Sequence, residues 1–161
     1  MSATVVIANP RYTLNGFTKG RRLLIKLRQT FLQESVADIS EVTMAAITAQ
    51  LVEYFPKHTG RDFITYIAEI NGEAVATAFL TIMERPANHS LVTGKSGRIS
   101  NVYVFPEYRK QGIATQLMNL LAEEARTVGL SYIELSATES GKHVYEKLGY
   151  KLRYTEMKLV L

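Results

Sequence analysis

The chain has 161 residues and a formal net charge of +4, and its 47% apolar and 21% charged residues are ordinary values for one globular domain. It contains no cysteine, which excludes disulfides, a thiolate nucleophile and cysteine-ligated zinc. No apolar run approaches the roughly 18 residues that span a membrane, and the N-terminus does not have the pattern of a signal peptide. We therefore expect a single domain over residues 1–161, located in the cytoplasm.

The N-terminal third predicts one strand followed by two helices. Thr4–Ala8 is a short β-branched run, and Phe17–Glu34 carries its leucines at helical spacing. Ser40 is suited to cap a second helix. We expect that helix to end near Phe55, because Pro56 follows it.

The middle of the chain predicts a β-hairpin, a loop and another strand. Phe63–Ile70 and Ala74–Met83 are β-prone runs joined by Asn71-Gly72, which is the strongest short-range hairpin signal. Glu84–Gly97 is rich in Pro, Asn, Ser, Gly and Lys, so we expect a loop there. Arg98–Phe105 predicts a further strand, and a proline ends it.

The C-terminal third alternates helices and strands. Gly112–Val128 has an apolar stripe at helical spacing, and Gly129 is a suitable C-terminal cap. The pieces that follow are a strand, a short helix and two final extended segments: Tyr132–Ala137, Gly141–Leu148, Tyr150–Tyr154 and Glu156–Leu161. This order predicts an α+β fold in which helices cover both faces of one sheet.

The segment between the fourth predicted strand and the long helix has the composition of a phosphate-binding loop. Its residues are Arg109-Lys110-Gln111-Gly112-Ile113-Ala114, with Thr115 one position further on. The first turn of a helix offers unpaired backbone N–H groups and a partial positive charge, and a glycine lets the backbone approach phosphate oxygens closely. The alternative interpretation is a polar helix start whose glycine serves only the turn. The pattern lacks the Gly-Lys-Ser/Thr of a P-loop and the first glycine of a Rossmann fingerprint.

Two segments resemble the GNAT N-acetyltransferase superfamily. Residues 101–114, Asn-Val-Tyr-Val-Phe-Pro-Glu-Tyr-Arg-Lys-Gln-Gly-Ile-Ala, are similar to its central strand and pyrophosphate loop, and residues 137–150, Ala-Thr-Glu-Ser-Gly-Lys-His-Val-Tyr-Glu-Lys-Leu-Gly-Tyr, to its C-terminal tyrosine segment. The Asn71-Gly72 hairpin falls at the expected place upstream. The resemblance implies a mixed, mostly antiparallel sheet with a V-shaped splay between the central strand and the next one. Pantetheine would lie in that gap.

The resemblance also implies roles for individual residues. The central strand would offer backbone groups to pantetheine and the thioester carbonyl, the loop would hold the pyrophosphate of acetyl-CoA, and the C-terminal segment would add contacts. The implied cofactor-binding residues are Val102, Tyr103, Val104, Arg109, Lys110, Gln111, Gly112, Ile113, Ala114, Thr115, Thr138 and Ser140. Tyr145 would be the general acid that protonates the departing thiolate. Without the resemblance, the favoured interpretation of Tyr145 is an ordinary core tyrosine.

The general base is missing from its usual place. Many members of this superfamily carry a glutamate on the central strand, whereas the same-face positions expected here are Arg98, Ser100 and Val102. The remaining candidates are three glutamates and waters held by two serines: Glu69, Glu84, Glu134, Ser100 and Ser136.

The resemblance implies an acetyl-CoA-dependent N-acetyltransferase acting on a primary amine. We expect the acceptor site to come from the first two helices and the Glu84–Gly97 loop, and a small-molecule amine, a peptide N-terminus and a protein lysine all stay open. A homodimer stays open as well. We expect no nucleic-acid or membrane partner. A non-catalytic acyl-CoA-binding regulator is the alternative from another class, and a basic RNA-binding module is a more distant one.

Two other features carry ordinary interpretations. The basic residues of the first helix are expected to form a solvated face, although they could attract an acidic acceptor, a membrane or RNA: Lys19, Arg21, Arg22, Lys26 and Arg28. The three histidines share no ligand spacing, so we expect no metal site: His58, His89 and His143.

Overall fold

A computed structural model describes residues 5–8, 17–153 and 159–160 of the chain. The elements are, in chain order, β1 (Val5–Ala8), α1 (Phe17–Ser35), α2 (Glu41–His58), β2 (Phe63–Ile70), β3 (Glu73–Glu84), β4 (Lys95–Val104), a 3₁₀ turn (Pro106–Tyr108), α3 (Ile113–Thr127), β5 (Tyr132–Leu135) and α4 (Glu139–Lys147). In this part of the chain, no helix combines the length and the apolar character needed to cross a bilayer.

The five strands form one sheet in the order of the sequence, β1-β2-β3-β4-β5. The first three pairings are antiparallel, and β4 pairs with β5 in parallel because α3 carries the chain back across the sheet. The β2–β3 hairpin turns at Asn71 and Gly72, whose φ angles of +53° and +80° suit a two-residue hairpin turn. The predicted mixed, mostly antiparallel α+β architecture is therefore confirmed.

Two apolar clusters cover the two faces of the sheet. On one face, α1 and α2 pack through Leu24, Leu27 and Phe55 against strand residues that include Phe79. On the other face, α3 packs against residues that include Leu80 and Ile99. Neighbouring residues such as Phe79 and Leu80 enter opposite clusters, as the two-residue period of a strand requires.

A β-bulge interrupts β4 near its middle. Thr77 of β3 lies opposite Tyr103, but Phe79 lies opposite Ser100, so two residues of β4 face one residue of β3. The extra residue is Asn101, with φ +52° in the left-handed region. The pairing of β4 with β5 ends at Ile99, so the strands part at the bulge and open the V-shaped gap.

Several predicted boundaries were wrong by a few residues. Pro56 does not end α2 but sits in its last turn, where the helix loses only one backbone hydrogen bond. The predicted loop after β3 is shorter, because Lys95–Gly97 already pair with Met83 and its neighbours in the sheet. The predicted strand from Tyr132 ends at Leu135.

The last helix and the C-terminal segments also differ from the prediction. α4 begins at Glu139, two residues before the expected start, because Thr138 caps it by accepting a hydrogen bond from the Gly141 N–H (3.2 Å). Lys151–Arg153 form no strand. The rest of the two predicted final strands lies outside the described residues, except for positions 159–160, which also form no strand.

Candidate active site

The turn before α3 places a left-handed glycine at the start of a helix. Gly112 is the N-cap of α3, and its φ is +78°. A Cβ built on Gly112 would meet no atom within 4 Å, so this side of the turn faces open space. The first recorded backbone bond of the helix runs from the Gln116 N–H to the Gly112 carbonyl (3.1 Å), which leaves the N–H groups of residues 113–115 without a helical partner. An anionic oxygen could therefore approach the backbone closely at this point.

Arg109 joins this loop to the first helix. Its Nε donates to the Val104 carbonyl (2.9 Å), and its guanidinium pairs with the Glu34 carboxylate at the end of α1. Tyr103 donates to the same carboxylate (2.7 Å). Hydrogen bonds from Arg109 and Tyr103 hold the pKa of Glu34 below its ordinary value, and burial together with Glu34 raises the pKa of Tyr103 to about 12. Glu34 is therefore a poor proton acceptor and a good anchor for the loop.

The other predicted loop residues lie around the same turn. Lys110 has φ +60°, and both Lys110 and Gln111 are exposed. Ala114 and Thr115 are half-buried on the first turn of α3, and Ile113 is buried in the core. Two predicted phosphate ligands have side chains directed to protein partners: Arg109, as described above, and Gln111, whose Nε2 donates to the Glu107 carbonyl (3.4 Å).

The strand segment beside the gap divides its side chains between the two faces. Val102 and Val104 pack against the cluster on the α3 side of the sheet. Tyr103 lies on the α1 side, with its ring 6.2 Å from that of Phe31. Because β5 pairs with β4 only as far as Ile99, the backbone of Ser100–Val104 has no strand partner on that side among the described residues. The predicted contacts to pantetheine would use these backbone groups.

Tyr145 lies on α4, against the α3-side cluster. It lines a cavity of about 750 Å³ together with Arg98, Glu134 and Tyr150. Burial raises the pKa of Tyr145, so its hydroxyl keeps its proton at neutral pH. None of the predicted cofactor-binding residues whose side chains are described lines this cavity. Thr138 caps α4, and the side chain of Ser140 lies outside what the structure describes.

The bulge changes which residues of β4 share a face. The prediction placed Val102 beside Arg98 and Ser100, but the inserted residue turns Val102 to the opposite face. Arg98 donates to Glu134 (3.2 Å) and to Ser136 (2.7 Å) across the parallel pair. Glu134 is thus engaged as a salt-bridge partner.

The other two glutamate candidates are not brought to the gap, whereas Ser100 is. Glu69 is on β2, which β3 separates from β4, and Glu84 is exposed at the far end of β3. Ser100 is half-buried at the bulge, next to the gap. Within the described residues, no group of three or more His, Cys, Asp or Glu side chains could hold a metal ion.

The sequence interpretation missed a contact between the first helix and the bulge. Arg28 was expected on a solvated face, but it is half-buried and donates to Asn101 (3.2 Å). The expectation was right for Arg22 and Lys26, which are exposed. No local pattern distinguishes Arg28 from these neighbours, because its partner is 73 residues away.

Comparison with known proteins gives a family. The sequence profile of the acetyltransferase (GNAT) family matches residues 21–150. The thialysine N-epsilon-acetyltransferase of Mus musculus is 34% identical over 64 residues, which are 38% of each chain. The glucosamine 6-phosphate N-acetyltransferase of Trypanosoma brucei brucei is 35% identical over 65 residues, or 40% of this chain and 44% of that protein. These matches span less than half the length of the curated relatives.

Solved structures agree over nearly the whole chain. A crystal structure described as a predicted acetyltransferase with acetyl-CoA, from Clostridium acetobutylicum, has a TM-score of 0.83 and 25% identity, covering 98% of this chain and 96% of that one. A GCN5-related N-acetyltransferase from Ralstonia eutropha JMP134 shares the fold, with a TM-score of 0.80, 24% identity and coverage of 98% and 99%. With the family profile matched from α1 to Tyr150, the chain belongs to the acetyltransferase (GNAT) family.

Proposed function

We propose that this protein transfers an acetyl group directly from acetyl-CoA to a primary amine. The observation that carries the proposal is the turn at Gly112, where a left-handed glycine opens a helix and its Cβ direction is empty. This turn follows a strand that has parted from its neighbour. The residues present therefore fit a long cofactor with an anionic pyrophosphate at one end and an extended arm at the other.

The chain supplies binding at the pyrophosphate end. The N–H groups at the start of α3 would donate to phosphate oxygens, and the helix dipole would add a partial positive charge. Lys110 is an exposed cation beside them. When bound, acetyl-CoA supplies the activated acyl group. Along the gap, the edge of Ser100–Val104 that has no β5 partner would hold the arm, and one N–H would donate to the thioester carbonyl oxygen.

The amine must lose a proton before it can attack. An ammonium with a pKa near ~10.4 has no lone pair, so a proton acceptor is required. Among the described residues, β4 has no carboxylate, Glu134 on the neighbouring strand is paired with Arg98, and Glu34 is held by Arg109 and Tyr103. We propose that a water held by Ser100 or Ser136 takes the proton. These hydroxyls lie on β4 at the bulge and just after β5.

Tyr145 supplies a proton at the other end of the reaction. Its hydroxyl is protonated at neutral pH because burial raises its pKa. A hydroxyl held beside the gap can donate that proton to the departing sulfur as the carbon–sulfur bond breaks. The acceptor enters from the side of α1 and α2, where a groove of about 590 Å³ lies between Gln29, Met44 and their neighbours.

Two relatives are named for amine substrates, thialysine and glucosamine 6-phosphate, which supports an amine acceptor for this chain. The test combines binding and turnover. Saturating acetyl-CoA should raise the melting temperature through linkage, and CoA thiol should be released in the presence of at least one amine from a panel. Binding without release by any amine would favour the non-catalytic acyl-CoA-binding regulator. No thermal shift and no calorimetric signal with acetyl-CoA or CoA would refute both.

A further inference from the structure

The contact between α1 and the bulge of β4 has the features of a small ligand subsite. Arg28 Nη1 donates to Asn101 Oδ1 (3.2 Å). Asn101 is only 2% exposed, and its left-handed backbone is the bulge itself. The two side chains lie on the α1 side of the sheet, at the point where β4 leaves β5. They are therefore next to the gap, on the side of the helices that would receive the acceptor.

The amide of Asn101 is oriented by its partner. A guanidinium only donates hydrogen bonds, so the amide oxygen Oδ1 of Asn101 must face Arg28. The amide nitrogen Nδ2 therefore points away from Arg28. Nδ2 is buried and has no hydrogen-bond partner among the described residues. Because buried polar groups are nearly always hydrogen-bonded, an unpartnered donor at this position points to a missing acceptor atom.

Arg28 presents a second unmet requirement. Its guanidinium lies 5.5 Å from the centroid of the Phe31 ring, which fixes its position. In the described part of the chain it has no carboxylate partner, and its one recorded hydrogen bond goes to the neutral Asn101. Burial lowers the pKa of Arg28, which reports that the cation is poorly solvated. A half-buried cation of this kind is normally paired with an anion.

We propose that Arg28 and Asn101 form a carboxylate-binding subsite, so that the acceptor is an amino acid whose carboxylate lies a few bonds from the reacting nitrogen. The inference rests on the proposed acetyl transfer. Asn101 precedes Val102, where the strand backbone would meet the thioester, and each strand residue advances the chain by only about 3.3 Å. A carboxylate on Asn101 Nδ2 and Arg28 would therefore hold a nearby amine close to the reaction point.

The charge at the subsite matches one carboxylate rather than a phosphate. Arg28 supplies a single positive charge, and Asn101 is neutral. The next cation along the chain after Asn101 is Arg109, which is already paired with Glu34. A planar guanidinium edge with an adjacent amide donor suits the two oxygens of a carboxylate. A dianionic phosphate would leave one charge without compensation.

The test compares amino acids with their amides in acetylation assays. Glycine, leucine and phenylalanine are paired with the corresponding amides, which keep the amine and remove the negative charge. Amidation also lowers the pKa of the amine, which favours the amide, so this effect cannot produce a preference for the acid. The acids should have a kcat/KM about 10- to 100-fold higher than their amides. Aminomethylphosphonate should be a poorer acceptor than glycine. Equal rates for acids and amides, or a preference for the phosphonate, would overturn the proposal, and so would acetylation confined to amines without a carboxylate.

Variants connect the preference to the two residues. Arg28→Gln should raise the KM for the acid about 10- to 100-fold and leave the KM for acetyl-CoA and the rate with the amide nearly unchanged. Asn101→Asp keeps the side-chain shape and pairs with Arg28 itself, so the acid preference should also disappear. Arg22→Gln, an exposed residue of the same helix, is the matched control and should keep the preference. A preference that survives both site variants would overturn the assignment.

The two proposals fail in different ways. If acetyl-CoA does not bind, or no amine releases CoA, the proposed function fails. In that case, N-acetylglycine and its amide, titrated calorimetrically into the protein alone and into the protein with CoA, test the subsite without turnover. Tighter binding of the acid, lost in Arg28→Gln, would support the subsite. Equal binding of the two compounds, or no binding of either, would show that only water meets the Asn101 amide.

Discussion

Replacing Tyr145 by phenylalanine distinguishes a catalytic role of its hydroxyl from a packing role of its ring. Among the described residues no hydrogen bond is recorded for the Tyr145 hydroxyl, and burial is the only cause that raises its pKa. The substitution therefore keeps the ring and removes no bond, so the free energy of unfolding should change by less than about 0.5 kcal/mol. If Tyr145 donates the proton, kcat should fall by about 100-fold, the low end for a general acid, because a thiol with pKa near ~8.5 leaves partly unaided.

The pH profile gives an independent readout of the same residue. The ordinary pKa of tyrosine is 10.0, and burial raises that of Tyr145 above this value. The protonated acid is therefore present throughout the neutral range, and kcat should fall only above pH 10. This alkaline limb should be absent in the phenylalanine variant. The free energy of unfolding should also decrease at high pH. The raised pKa of Tyr145 stabilises the folded protein at pH values below the pKa of the unfolded state, and this contribution is lost as the pH rises through the pKa of the folded state.

Tyr150→Phe is the matched control. The two rings are 6.0 Å apart and line the same cavity, but the Tyr150 hydroxyl is buried without a hydrogen-bond partner among the described residues. Its removal should stabilise the protein by about 1 kcal/mol, since an unsatisfied buried group is costly, and should leave kcat within about twofold. Denaturant unfolding and steady-state kinetics measure both effects. If Tyr145→Phe leaves both kcat and the alkaline limb of its pH profile unchanged, Tyr145 is a packing residue with no role in proton transfer.

Two glycines give further predictions with opposite outcomes. Gly112→Ala places a methyl group in the open side of the turn at φ +78°. It should therefore destabilise folding by about 1–2 kcal/mol and weaken CoA binding at least ~10-fold. Asparagine tolerates that backbone better, so a CoA affinity that recovers in Gly112→Asn would show that backbone strain, and not steric blockage, causes the loss. Gly97→Ala brings a Cβ to 2.6 Å from Leu80 and 2.8 Å from Leu130, which should destabilise folding by about 1–3 kcal/mol. Its CoA affinity, measured by calorimetry on the folded protein, should stay unchanged, and a neutral effect on unfolding would mean that these side chains move aside.

Local rules explain what could be predicted from the sequence. The Asn71-Gly72 turn, the Ser40 cap and the glycine after α3 each depend on residues within a few positions, and all three occur as expected. The strand-turn-helix around Gly112 is local in the same sense, so its geometry was predicted even though its ligand stays a prediction.

Long-range pairing explains what could not be predicted. The start of β4 at Lys95 depends on its pairing with Glu84, and its polar residues looked like a loop. The bulge depends on the register between two strands, and no residue type in β4 predicts it. Arg28 looked like any cation on an amphipathic helix, because the residue that buries it is a partner far along the chain.

The bulge at Asn101 also limits how the length of this strand can change during evolution. Deleting Asn101 would restore regular pairing with β3 and leave Ser100 and Tyr103 on their present face, because their partners Phe79 and Thr77 share that face. The strand would lose the local twist of the bulge where β4 parts from β5, and Arg28 would lose the side chain to which it donates. Side chains on this segment can therefore vary between relatives, whereas insertions and deletions within it should be rare.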